Sequence, residues 1–122
     1  MSLVSRLHEA LGAVPTVGPG EAKDLLDAGA VLLDVREPSE WRAGHAPKAR
    51  HIPLNDLDRR RKELPAGREI ITVCRSGNRS RHAAAMLLRS GRQARNLHGG
   101  MRAWAAAGLP VVGPGGRPGR VA

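Results

Sequence analysis

No phenylalanine and no tyrosine occurs anywhere in the 122 residues, and Trp41 and Trp104 are the only large aromatic side chains. Leu, Val, Ile, Ala and Met must therefore fill the core, and there is no row of aromatic faces on which nucleic-acid bases could stack. Cysteine occurs once, at Cys74. A disulfide within the chain is excluded, so stability cannot depend on an oxidising compartment. Long apolar runs are missing too. The longest uncharged stretch, residues 103–116, is broken by glycine and proline and falls short of the ~20 apolar residues that a membrane-spanning helix needs. The opening "MSLVSRLHEALGA" interrupts its apolar residues with Arg6, His8 and Glu9, unlike the continuous core of a signal peptide. A cytoplasmic protein with no membrane contact is expected. The five histidines and Cys74 lie on separate segments with no Cys-x-x-Cys pair, so no metal is expected.

What is present is basic. The formal net charge is +9, with 17 arginines against 3 lysines. The charges are scattered, the one dense cluster being "RRRK" at 59–62, and the arginine, alanine and glycine bias is what a GC-rich genome produces. Basic charge without a stacking platform is a weak warrant for nucleic-acid binding, and none is expected, although a basic face would suit an acidic protein partner. With 41% hydrophobic and 25% charged residues, the chain reads as one globular domain, a monomer or weak homodimer.

Hydrophobic periodicity divides the chain into alternating elements. Leu3, Val4, Leu7 and Leu11 share one face of a helix expected over residues 2–12, and residues 1–13 form an N-terminal extension. Residues 14–17 read as an edge strand. "GPGEAKDLLDAGA" reads as a helix with Pro19 early and Gly29 at its end. "AVLL", residues 30–33, is a strand apolar on both faces, as in a parallel sheet. Irregular chain follows, with a helical turn near Pro38–Arg42, a short strand at His51–Ile52 and a surface helix over "NDLDRRRKEL". Residues 69–73 form a second buried strand. "SRHAAAMLLRSG" is a helix, "QARNLHGG" a third strand and "MRAWAAAG" a last helix. "GPGGRPGRVA", residues 113–122, has no means of burying itself and is expected to be a flexible tail. Strands alternating with helices define an α/β sandwich, a mainly parallel sheet with helices on both faces.

Cys74 therefore ends a buried strand just ahead of a helix, and ligands of open parallel sheets gather at the carboxyl ends of strands. Between strand and helix lies "CRSGNRS". Its successive N–H groups, the turn that Gly77 permits and the positive end of the following helix make an anion-binding nest, to which Arg75 and Arg79 add charge. Such surroundings favour thiolate over thiol. Lowering a thiol's pKa by about two units, roughly 2.7 kcal/mol, makes the thiolate dominant at neutral pH. The nucleophile then needs no neighbouring base, and His82, inside the helix, is not assigned that role. Cys74 as a mere buried hydrophobe is disfavoured by the two arginines and the glycine beside it. His45 is expected to make a local hydrogen bond, Trp41 and Trp104 to pack, and "DVRE" to pair charges that hold loops, with Arg36 near Glu37 or Glu40.

"LLDVREPSEWRAGHAPKARHIPL", "IITVCRSGNRS" and "NLHGGMRAW" resemble, in order and spacing, the three signature blocks of the rhodanese family over about Val14 to Val112. The resemblance implies the rhodanese-like three-layer α/β sandwich for residues 14–112 and sulfur transfer through a cysteine persulfide, with no cofactor. By that likeness Cys74 carries the sulfur, and Arg75, Ser76, Gly77, Asn78 and Arg79 form its cradle. Asp34, Arg36 and Ser80 support the site, Gly99–Gly100 let the third strand turn close to it, and His51 lies near the pocket. "GHAPKA" departs from the family's usual "GHIPGA", far from the sulfur.

The fold also hosts phosphatases, whose nucleophilic loop is one residue longer, Cys-x5-Arg. Here Arg79 is already the fifth residue after Cys74, and Ser80 stands where the phosphatase arginine would be. The tighter ring of N–H groups suits one added sulfur atom better than a tetrahedral oxyanion. The expected activity is thiosulfate sulfurtransfer. A small donor such as thiosulfate loads Cys74, Arg75 or Arg79 holds the donor's oxygens, and a thiol or cyanide removes the sulfur. The alternative is a persulfide carrier that serves partner proteins with little small-molecule turnover.

Overall fold

The computed structural model describes residues 14–122; the helix expected over residues 2–12 lies outside them. In chain order the elements are β1 (Thr16–Val17), α1 (Pro19–Asp27), β2 (Val31–Asp34), α2 (Pro38–Ala43), β3 (Arg50–His51), α3 (Leu57–Arg60), β4 (Ile70–Val73), α4 (Asn78–Arg89), β5 (Ala94–Leu97) and α5 (Gly100–Ala106). The five strands form one sheet in the order β1-β5-β4-β2-β3, parallel throughout.

Alternation along the central strands sorts the core into two layers. Val31, Leu33, Ile70 and Cys74 face one side and pack with Ala83, Ala84 and Leu87 of α4 and Leu57 of α3. Leu32, Ile71 and Val73 face the other and pack with Ala22 of α1 and Met101 and Trp104 of α5. Helices thus cover both faces, the three-layer arrangement expected. Alanines on α4 bring its backbone close to the sheet without any aromatic filler, which is how a chain with so few aromatics closes its core. Register places Asp34 beside Val73 and Thr72 beside Asn96, so the ends of β2, β4 and β5 meet at one edge, where Cys74 lies.

Three local expectations differ from the structure. The surface helix over residues 55–64 is broken: one α-turn, Leu57–Arg60, stands between 3-10 turns at Leu54–Asp56 and Arg61–Glu63. Its ion pairs, Arg59–Asp56, Arg60–Glu63 and Arg61–Asp58, are all spaced i,i+3, the spacing that a 3-10 turn brings into line. The short strand is Arg50–His51, one residue earlier than expected. The third difference is the tail. Rather than hanging free, it folds back on the loop after α2. His45 and Val112 exchange both backbone hydrogen bonds (3.0 and 2.8 Å), Gly119 N–H donates to Val111 and Arg120 N–H to Ala43. Main-chain partners hold a segment whose side chains have little to bury.

Candidate active site

Cys74 follows β4 directly and is buried. Its Sγ accepts a hydrogen bond from Gly77 N–H at 3.1 Å and lies 3.2 Å from the Ser80 hydroxyl, a second donor within reach. Gly77, at φ 116°, is the N-cap of the twelve-residue α4, a conformation that a side chain would strain. The sulfur therefore sits at the positive end of a helix and inside a turn of N–H donors. Burial pushes the thiol pKa up, but the Ser80 hydroxyl and the N–H groups of Ser80, Gly77 and Ser76 outweigh it and leave the thiol below its ordinary value. The arrangement stabilises a sulfur anion with donors already in place, which is what a standing nucleophile or a persulfide anion requires.

The cradle is anchored from three sides. Thr72 Oγ1 donates to Ser80 O at 2.7 Å, tying β4 to the first turn of α4. At the start of α5, Gly100 lies against the loop at φ 61°; a Cβ there would run into the carbonyls of Cys74 and Arg75. Those same carbonyls accept from Met101 N–H (2.7 Å) and Arg102 N–H (3.1 Å) at the start of α5. Asn96 of β5 completes the shell. It is buried, its Oδ1 lies 2.6 Å from Ser80 Oγ and its Nδ2 lies 3.3 Å from Gly77 O.

The charges are arranged differently from the sequence expectation. Arg36 is near enough to Glu40 to act on its charge, but its hydrogen bonds turn back on Asp34. Its Nε and Nη2 grip both carboxylate oxygens at 2.7–3.1 Å, with both side chains fully buried. Arg36 Nη2 also donates to Gly44 O at 2.7 Å, so this pair braces the loop that carries α2. A buried carboxylate at a strand end is best matched by the nearest fork-shaped donor, here two residues away. Glu40 of α2 instead reaches across to Arg79, whose two Nη atoms donate to its two oxygens at 2.7 and 2.9 Å. Hydrogen bonding from Arg79 holds the Glu40 carboxyl down at about 2, against an ordinary 4.5. Arg75 is exposed and donates through Nε to Ala122 O at 2.8 Å. Of the two loop arginines expected to hold a donor's oxygens, Arg79 is thus already neutralised. Ser76 and Asn78 are exposed on the loop.

His82 is exposed on α4. His45 makes its local hydrogen bond, Nδ1 to Trp41 O at 2.8 Å. His51 Nε2 lies 2.7 Å from Arg36 O, and both imidazoles stack on Trp41, centroids 3.6 and 4.7 Å away. Trp104 is buried, with Nε1 donating to Pro110 O at 2.9 Å. Among the described residues no three His, Cys, Asp or Glu side chains come together as metal ligands, and no helix is long and apolar enough to cross a membrane. Sequence reasoning missed Asn96 and Thr72, and it missed that Glu40 pairs with Arg79. Asn96 had a signal, a polar residue disfavoured in strands in the middle of a buried one. Glu40 had a weaker one, standing three residues after Glu37 at a helix start, the spacing of a capping box.

A five-stranded parallel sheet with a buried thiol at its edge, ringed by N–H donors at a helix start, defines a class of cysteine-centred anion sites. Within that class, residues 18–107 match the model of the Rhodanese-like domain, and the chain belongs to this family of sulfurtransferases. It is 41% identical to a sulfurtransferase of Allochromatium vinosum over 87 residues, 70% of this chain and 81% of the relative. It is 35% identical to the putative sulfur carrier protein YrkF of Bacillus subtilis over 79% of this chain and 54% of that one. The crystal structure of a thiosulfate sulfurtransferase from Pseudomonas aeruginosa superposes with a TM-score of 0.78 at 28% identity, covering 93% of this chain and 23% of that one. The chain therefore spans about half the length of YrkF and under a quarter of the Pseudomonas protein.

Proposed function

We propose that the chain transfers sulfane sulfur through a persulfide on Cys74. The Cys74 thiolate attacks the outer sulfur of a donor such as thiosulfate. The Sγ–S bond forms, the donor's S–S bond breaks and sulfite leaves with the bonding pair. An acceptor thiolate or cyanide then attacks the terminal sulfur, and Cys74 departs as thiolate. No proton need be moved by a side chain, because donor, acceptor and cysteine all react as anions. One observation carries the reading: a buried sulfur that receives a hydrogen bond from Gly77 N–H and has the Ser80 hydroxyl within hydrogen-bond reach, at the start of α4. Preorganised donors of this kind stabilise each anion formed at that position. Arg75, Ser76, Gly77, Asn78 and Arg79 make up the rim and floor of the cradle, Asp34, Arg36 and Ser80 its support.

A second reading, a persulfide carrier that meets partner proteins, is favoured by one feature. Arg79 is bound bidentately by Glu40, which leaves less free positive charge for a small dianionic donor than the loop's sequence promises. Steady-state kinetics separate the two. A thiosulfate:cyanide transferase gives parallel double-reciprocal lines, the mark of a two-step exchange, and Cys74→Ser falls to background. Slow turnover of both thiosulfate and a glutathione persulfide, with rapid sulfur exchange with a persulfide-bearing protein, would identify the carrier. Activity retained in Cys74→Ser would refute both.

A further inference from the structure

The Ser80 hydroxyl has one hydrogen and three acceptors. Cys74 Sγ lies at 3.2 Å, Gly77 O at 3.3 Å and Asn96 Oδ1 at 2.6 Å. All four residues are buried, so water does not settle the competition. The backbones are fixed as well: Ser80 O accepts from Thr72 Oγ1, and Asn96 N–H donates to Pro15 O at 2.8 Å within the β1–β5 pairing. Only the hydroxyl rotor and the Asn96 amide are free to choose. With Asn96 Nδ2 on Gly77 O (3.3 Å) and Oδ1 on Ser80, the serine hydrogen belongs to Asn96. A serine lone pair then faces the sulfur, which fits a thiol donating its S–H. Turning the amide over exchanges two nearly isosteric ends. Nδ2 would then donate to Ser80 Oγ, and the serine hydrogen would be released to a sulfur anion, at the expense of the Gly77 contact.

From this geometry we infer that Asn96 is a positioning residue for Cys74: through Ser80 it directs a single hydrogen either away from the sulfur or onto it, matching the cradle to thiol or to sulfur anion. The inference rests on Cys74 being the reactive group of the proposed function, but it concerns proton placement, not turnover. Charged groups on the elements around the sulfur include Arg75 and Arg79 of its own loop, Glu40 of α2 on Arg79, and the buried Asp34–Arg36 pair at the end of β2; the variants below leave all of them in place. A charge-assisted hydrogen bond onto a thiolate is stronger than one onto a thiol. A side chain at position 96 that can only accept therefore pulls the hydrogen off the sulfur and disfavours the anion.

The test reads the thiolate directly. Cys74 is the only cysteine, so the rate of alkylation by iodoacetamide against pH reports its ionisation without any sulfur donor. Asn96→Asp is expected to move the midpoint upward by about one pH unit, which is about tenfold slower alkylation at neutral pH. In a Ser80→Ala background most of that shift should vanish, because the relay has lost its middle member. Trp41 and Trp104 fluorescence checks the fold. Should Asn96→Asp fail to fold, Asn96→Leu, of similar volume and with neither donor nor acceptor, leaves the serine hydrogen to the sulfur and is expected to shift the midpoint downward, with the same dependence on Ser80. An equal shift with and without the serine hydroxyl would mean through-space charge or packing alone and would overturn the inference, as would no shift at all. Since no transfer assay is involved, failure of the sulfurtransferase reading would leave this result standing.

Discussion

In the proposed reaction the Cys74 sulfur owes its reactivity to donors rather than to a base. Three features three to six residues away in sequence, the Gly77 N–H, the Ser80 hydroxyl and the start of α4, supply them, which is why the run "CRSGNRS" was enough to single out Cys74 as a candidate. The arginines were less legible. Residue type predicts charge, but it does not predict which carboxylate arrives from another element. Glu40 comes from 39 positions upstream of Arg79, and nothing local in the loop announces it. This has a testable consequence. Glu40→Gln should free the Arg79 guanidinium and lower the thiosulfate KM about three- to tenfold, the scale of one partly screened charge-assisted hydrogen bond, with kcat changed little. A KM that rises would mean that Glu40 orders Arg79 for the donor. The same carboxylate gives a pH signature. Its folded pKa of about 2 lies below the ordinary 4.5, so its contribution to stability is present above pH 4.5 and lost as the pH falls toward 2. Denaturation midpoints of Glu40→Gln and the parent chain should differ most above pH 4.5 and converge in that acid window.

At the scale of elements, the site is made by the start of α5 as much as by α4. Gly100 lets α5 begin directly on the nucleophilic loop and donate N–H groups to the Cys74 and Arg75 carbonyls. Gly100→Val would push the loop outward. It is expected to lower sulfur transfer at least about tenfold and to destabilise the fold by about 2–4 kcal/mol, from a side chain in the left-handed region together with the clash. Gly108→Ala is the control. It also has positive φ, 79°, but nothing lies within reach of an added Cβ. It should cost about 1 kcal/mol and leave transfer intact. Activity lost equally in both would point to general instability rather than to the loop. Element type and order were readable from apolar periodicity, because buried parallel strands of four residues and helices ended by glycine leave strong marks. The helix over residues 55–64 was not, because i,i+3 ion pairing favours a tighter turn that a list of good helix formers conceals.

For the whole molecule, the two-layered core and the convergence of β2, β4 and β5 follow from residues that faced the right way in the sequence: Val31 and Leu33 to one side, Leu32 and Ile71 to the other. The tail did not announce its place. It is held by main-chain bonds to Ala43 and Val111, and backbone partners leave no trace in side-chain hydrophobicity. The buried Asp34–Arg36 pair, reaching Gly44, supports the loop on which that tail lies. Both were recognised as supports of the site by family likeness alone, while their pairing with each other emerged only in three dimensions. All of this architecture converges on one atom, and the most direct measurement is the mass of the intact protein. After incubation with thiosulfate or a glutathione persulfide donor, followed by desalting, the parent chain should gain the mass of one sulfur atom and lose it again on treatment with cyanide or dithiothreitol. Cys74→Ser should gain nothing. No adduct from either donor, or an adduct that persists in Cys74→Ser, would contradict the account.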